Sequence, residues 1–180
     1  PVMIGVNWSI AIEEQFYLVW PLLFALIPKK FYKYIFIVII FISAIFRYIN
    51  RADSLVTYFH TLAVFSDLAI GGFFAYLSIN SETFQQFFKQ IKKYQIAIVY
   101  VLGLSILMYG NFIYPNKYDI AYMRIISTTF FAFIITEQNF SEHSIYKLGK
   151  IKFITQLGKY TYGLYLIHPI GIQAVAIVLY

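Results

Sequence analysis

Long apolar runs separated by short, lysine-rich connections dominate this chain. A helix needs about 20 apolar residues, at about 1.5 Å rise each, to cross a bilayer. Runs of that kind predict six helices, over residues 8–27, 33–49, 59–79, 95–114, 120–138 and 160–180. Pro28 and the Lys29-Lys30 pair end the first. The second is aliphatic and aromatic from Tyr34 to Phe46 and should mostly face lipid. The third holds Asp67 and Gly71-Gly72, with Gly71 and Ala75 at a small-residue spacing that lets another helix approach closely. The fourth, Ile96 to Tyr109, carries no ionisable group except tyrosine and reads as peripheral. The expected fold is all-α: a polytopic transmembrane bundle of about six spans, forming one partial transmembrane region over residues 1–180.

The connections carry a second pattern. Lys29, Lys30 and Lys33 follow the first run, Lys89, Lys92 and Lys93 the third, and Lys147, Lys150, Lys152 and Lys159 the fifth. The alternate connections and their helix ends hold only Arg47, Arg51, Lys117 and Arg124, a split of 10 against 4. The positive-inside rule places the first group in the cytoplasm and the start of the first helix toward the outside. Phe84, Phe87, Phe88 and Ile91 recur at helical spacing between Ser81 and Lys93, as in a short helix at the membrane interface. Lys147 to Lys159 is basic with apolar residues interspersed. Such a rim suits a phosphate-bearing ligand, or serves topology alone beside anionic lipid.

Composition narrows the classes. The chain has 180 residues, 61% of them hydrophobic and only 12% charged, which excludes an ordinary soluble domain. Its net charge of +6 lies scattered in connections, without the exposed aromatics of a nucleic-acid surface, so no nucleic-acid partner is expected. The chain has no cysteine, which excludes disulfides and thiolate metal sites. It opens at Pro1 inside an apolar stretch with no visible signal peptide, the expected look of a segment of a longer protein.

Ionisable residues inside the runs are the candidate chemistry. Glu13 and Glu14 sit early in the first helix, where an isolated carboxylate at membrane depth costs several kcal/mol unless protonated, paired or facing water. Ser9 and Glu13 share a helix face, while Glu14 points about 100° away. A boundary carboxylate that snorkels is the blander alternative. Arg47, Asp67, Arg124 and His168 come from four further helices and fall in the outer half or centre of the membrane. Acids and bases together make mutual pairing around a wet cavity the least costly arrangement. His60, Val64, Asp67 and Gly71 form one stripe, so His60 and Asp67 are expected to line the same cavity. The alternatives are a headgroup-level His60, a structural ion pair for Asp67 and a core-satisfied His168. Pro169 should kink the helix beside His168.

Asn7-Trp8-Ser9-Ile10-Ala11-Ile12-Glu13-Glu14-Gln15-Phe16-Tyr17 resembles the Trp-Ser-x-x-x-Glu-x-Gln-Phe-Tyr signature of the acyltransferase 3 family of membrane-bound carbohydrate O-acyltransferases. Leu157-Gly158 through Tyr165-Leu166-Ile167-His168-Pro169 is similar to that family's late helix, with Thr161 in place of its serine and the proline directly after the histidine. Tyr58 to Thr61 and Asp67 to Gly72 resemble a third family block. The resemblance implies an integral-membrane enzyme moving an acyl group, acetyl as the family expectation, from acyl-CoA to a hydroxyl of a cell-surface or secreted carbohydrate. It implies a multi-pass protein of the bacterial inner membrane, with acyl-CoA, a carbohydrate and membrane lipid as partners and no bound cofactor or metal. Family members also carry an Arg-x10-His helix, whose histidine is taken as the base, and an Arg-x-x-Arg motif tied to the donor. Neither is in this sequence, so the chain is expected to be a fragment lacking those helices and the last one, inactive alone. Glu13, Ser9 and His168 are the catalytic candidates, and Glu14, Asp67, His60, Arg47 and Arg124 the substrate-binding ones. Paired charges and a proline-broken helix also mark half of a secondary transporter, the alternative reading.

Overall fold

Helix formation follows the apolar runs closely. The computed structural model describes residues 8–113 and 120–179, and every regular element among them is helical. The helices are α1 (Trp8–Leu26), α2 (Tyr32–Ile49), α3 (Ser54–Phe59), α4 (Thr61–Asn80), α5 (Glu82–Gln90), α6 (Lys93–Ile113), α7 (Ile120–Phe140) and α8 (Lys152–Leu179). Short 3-10 turns at Lys29–Phe31 and Leu148–Lys150 lead into α2 and α8. All six expected helices are present.

Two boundaries differ from expectation for local reasons. Asp53 caps α3, its Oδ1 accepting from the N–H groups of Leu55 at 3.0 Å and Val56 at 3.1 Å. His60 then leaves the helix with extended backbone and caps α4. The expected third helix is therefore a short helix, a break and a long helix. At the other end, α8 starts eight residues before the expected position and absorbs Lys152 to Lys159.

The chain divides into two units, residues 16–145 and residues 1–15 with 146–180. In the larger, α4 is central, packing on α2 along one side and on α7 along another. Trp20 and Phe24 of α1, Phe36 of α2 and Phe73 and Tyr76 of α4 form a ring cluster with Phe36 in its middle, centroids 5.3–6.0 Å from it. The close approach of α2 to α4 uses Gly72, where an added Cβ would lie 2.6 Å from Phe36 Cε1. Gly71 was expected to serve that purpose, but nothing lies within 4 Å of a Cβ there. Gly71 and Ala75 instead border an open cavity of about 260 Å³ between α4 and α7, which Ala132 and Thr136 close from the other side.

Apolar side chains cover the outside. Phe41 is 65% exposed, and Ile37, Val38, Ile42 and Ile45 of the same helix are exposed too, while Ser43 and Arg47 are buried. A helix that hides its polar residues and shows its aliphatic ones is suited to lipid, not water. Lys29–Ile49 and Ser54–Asn80 are long and apolar enough to cross a membrane. Glu82–Gln90 with Lys93–Tyr109, bent by 94°, would make a third span if the pair is one. Two or three spans thus stand among the described residues where six were expected. The α7 helix is long enough but carries Arg124 toward one end and Glu137, Gln138 and Asn139 toward the other.

Ser81 to Lys93 does form a short helix, α5, capped by Ser81 Oγ accepting from Phe84 N–H at 3.3 Å. Its aromatic face is used within the protein: Phe84 meets Phe74 of α4 and Phe88 meets Phe133 of α7. Phe87 remains exposed. The smaller unit consists of the first two turns of α1 and of α8 with its leading 3-10 turn.

Candidate functional site

The last turn of α2 delivers Arg47 inward, 1% exposed, against the first turns of α4. There its Nη2 donates to Ser66 Oγ and lies 3.8 Å from Asp67 Oδ1. Ser66 Oγ donates in turn to Asp67 Oδ1 at 3.1 Å. Ser43, one turn before Arg47, donates to the Leu62 carbonyl at 2.6 Å and fixes the two helices in register. From the third helix in the contact, Arg124 of α7 donates through Nε to Asp67 Oδ2 at 2.5 Å and through Nη1 to the Tyr58 carbonyl at 3.2 Å. Its guanidinium also stands over the Tyr58 ring, 5.7 Å from the centroid.

Three helices therefore meet at one carboxylate. Among the described residues, two guanidiniums share the single carboxylate of Asp67, a formal surplus of +1. Arg47 is enclosed, but Asp67 and Arg124 are each 21% exposed, so the surplus is reachable. Such an arrangement can hold an oxyanion or orient hydroxyl groups through charge-assisted hydrogen bonds.

The remaining candidates are placed differently. His60 does not share a helical stripe with Asp67, because it is the extended residue between α3 and α4. Its Nδ1 accepts from Leu62 N–H at 3.2 Å, and its ring lies 4.6 Å from that of Phe46. The side chain is exposed, with its capping nitrogen engaged. Glu13 and Glu14 occupy α1 one turn in from its start, Glu13 half-buried and Glu14 exposed. Among the described residues the ion pairs are those of Asp67, and none involves Glu13. The side chains of Ser9 and His168 lie outside the described residues. The backbone of α8 is assigned as helix without interruption through residue 169.

Sequence reasoning passed over a second polar centre. Glu137, near the end of α7, is fully buried and accepts from three neutral donors. Tyr100 Oη of α6 and Gln138 Nε2 reach its Oε2 at 2.8 Å each, and Ser144 Oγ reaches Oε1. The α6 helix, expected to be peripheral with no ionisable group except tyrosine, is tied to α7 by Tyr100 beside Gly103, whose missing side chain admits the Phe130 ring. The signal available was the run Thr136-Glu137-Gln138-Asn139 at the end of an apolar helix. A metal would need a different donor set: no group of three or more His, Cys, Asp or Glu occurs among the described residues.

Comparison with known proteins gives one result. No curated protein sequence and no solved structure matches the chain. The family model described as an acyltransferase domain, that of the acyltransferase 3 family, matches residues 2–180. That span takes in both end motifs and all three helices that meet at Asp67, and the chain belongs to the acyltransferase 3 family.

Proposed function

We propose that the protein is an integral-membrane O-acyltransferase of the bacterial inner membrane. It moves an acyl group, acetyl in the first instance, from acyl-CoA to a hydroxyl of a cell-surface or secreted carbohydrate. The observation that carries this reading is the family match over residues 2–180. The charge surplus at Asp67 agrees with it, because a sugar hydroxyl and an acyl carbonyl both present oxygen to be held.

In this reading a neutral histidine takes the proton of the acceptor hydroxyl, and His168 stands beside Glu13 and Ser9 as a catalytic candidate of this chain. The freed oxygen attacks the thioester carbonyl. The tetrahedral intermediate collapses with cleavage of the C–S bond, and the departing thiolate of coenzyme A takes up a proton. Glu13 orients the acceptor with Ser9 as its hydrogen-bonding neighbour. Glu14, Asp67, His60, Arg47 and Arg124 are the acceptor-binding candidates. The alternation of lysines along the sequence sets donor and acceptor on opposite membrane faces.

Membranes containing the full-length protein, given labelled acetyl-CoA and candidate glycans, should transfer label to a glycan. Glu13→Ala should lower transfer about a hundredfold or more at normal protein level, the range for losing a positioned acid–base group. Transfer at the wild-type rate in that variant removes Glu13 from the mechanism. Absence of transfer to any glycan in the wild type overturns the reading itself.

A further inference from the structure

Residues 146–180 carry Lys147, Lys150, Lys152 and Lys159 and no Asp or Glu. Three of these lysines are brought together. Lys152, Thr155, Gln156 and Lys159 are spaced i, i+3, i+4 and i+7 on α8 and so form one stripe of that helix. The 3-10 turn Leu148–Lys150 curls back against the stripe, held by Thr155 Oγ1 donating to the Gly149 carbonyl at 3.2 Å. The result is a cavity of about 240 Å³ bounded by Gly149, Lys150, Lys152, Thr155, Gln156 and Lys159. A water molecule in the liquid occupies about 30 Å³, so the space holds several, or an anion with part of its hydration. A Cβ at Gly149 would meet nothing within 4 Å, which leaves that wall of the cavity open.

Three ammonium groups around one concavity repel one another, and among the described residues none has a carboxylate partner. The topology rule asks for lysines in this connection, but not for a cavity or an amide side chain on the same stripe. The cavity lies beside the start of a 28-residue helix, whose positive dipole end favours the same sign of ligand. All of these contributions favour a multiply charged anion.

We propose that the cavity formed by Lys150, Lys152, Lys159 and Gln156 binds a phosphate-bearing group. Two sources supply that chemistry: the nucleotide phosphates of the acyl donor, an assignment that rests on the acyltransferase reading, and the headgroup of an anionic lipid. The lysines supply charge and Gln156 an amide donor. The phosphate oxygens face the start of α8.

The test uses the full-length protein in phosphatidylcholine nanodiscs, with pyrophosphate and coenzyme A as soluble probes. A parallel preparation contains phosphatidylglycerol, whose retention is measured by mass spectrometry. The Lys150→Gln, Lys152→Gln, Lys159→Gln triple variant should weaken binding about a hundredfold, from roughly tenfold or less per lysine. The corresponding triple arginine variant should restore it, and added salt should weaken the wild type. Loss of pyrophosphate and coenzyme A affinity in the glutamine variant supports a soluble phosphate as the ligand. Loss confined to phosphatidylglycerol retention supports the site with a lipid as its ligand. Binding of all three that is indifferent to the lysines overturns the proposal. Label transfer from acetyl-CoA in the same discs separates the two readings. Lysine-dependent pyrophosphate binding without transfer leaves the site standing and the enzyme reading fallen. Transfer and coenzyme A binding that ignore the lysines do the reverse.

Discussion

Asp67 and Glu137 are both carboxylates held inside the larger unit, and they are satisfied by opposite means. Asp67 is met by two guanidiniums from two other helices and remains 21% exposed. Glu137 is 0% exposed and is met by a phenol, an amide and a hydroxyl, all neutral. The partners Arg124 and Glu137 lie about 20 Å apart along α7 at about 1.5 Å per residue. At the level of Glu137, α4 and α7 separate around the cavity that runs from Gly71 and Ala132 to Ile79 and Phe140. A centre with surplus charge and an open side is built to meet a ligand. A fully buried centre met by three hydrogen-bond donors is built to hold helices together. Bundles that span membranes need both, because lipid gives helices no hydrophobic reason to associate.

The largest effect should follow from removing the shared charge. Asp67→Asn leaves Arg47, 1% exposed, without its carboxylate, and such a loss costs about 3–5 kcal/mol. Thermal unfolding in detergent should register this as a large fall in Tm, with Asp67→Glu recovering part of it. Arg47→Met should cost less than Asp67→Asn, since Asp67 keeps Arg124 and methionine fills the vacated space. Should Arg47→Met prove the more damaging change, Asp67 is not the hub of the cluster.

Glu137 offers the converse measurement. Glu137→Ala removes three hydrogen bonds to a buried acceptor, for about 2–3 kcal/mol. Glu137→Gln keeps an acceptor of the same shape and should cost about 1 kcal/mol. Paired with Tyr100→Phe in a double-mutant cycle, Glu137→Gln should show a coupling of about 1 kcal/mol. Acyl transfer at a permissive temperature should match the wild type in the glutamine variant. Loss of transfer with an unchanged Tm would move Glu137 from holding helices to chemistry and break the contrast with Asp67.

These two centres were not equally legible. Long apolar runs announce helices by composition alone, so α1, α2, α6 and α7 lie within a few residues of expectation. The grouping of Asp67 with Arg47 and Arg124 follows from the cost of unpaired charge in lipid, which leaves few other partners. Glu137 was missed because its neighbours in sequence are polar, and a polar run at a helix end looks the same whether it faces water or the core. Its donors Tyr100 and Ser144 come from another helix and a loop, and no local pattern marks them. The break at His60 was hidden by the apolar residues on either side, Tyr58-Phe59 before it and Leu62 to Phe65 after it, although Asp53 ahead of Ser54 is a cap signature. Early helix at Lys152 was read as connection because lysine density suggested topology before it suggested a helix face.

Adjacent glycines of α4 test the cavity beside the Glu137 centre. Gly72→Ala places a Cβ 2.6 Å from Phe36 Cε1, and that ring is fenced by Trp20, Phe24, Phe73 and Tyr76. The ring has little room to give, so the overpacking should cost about 1–3 kcal/mol. Gly71→Ala meets nothing within 4 Å and gains helix propensity, up to about 1 kcal/mol. A chain of this size shifts by about 2–4 °C in Tm per kcal/mol, so the two variants should separate by several degrees in opposite directions. A fall in Tm for Gly71→Ala as large as that for Gly72→Ala would mean that α7 closes on α4 at this level. The cavity would then be filled by protein, and the Asp67 and Glu137 centres would belong to one continuous packed seam instead of two separate ones.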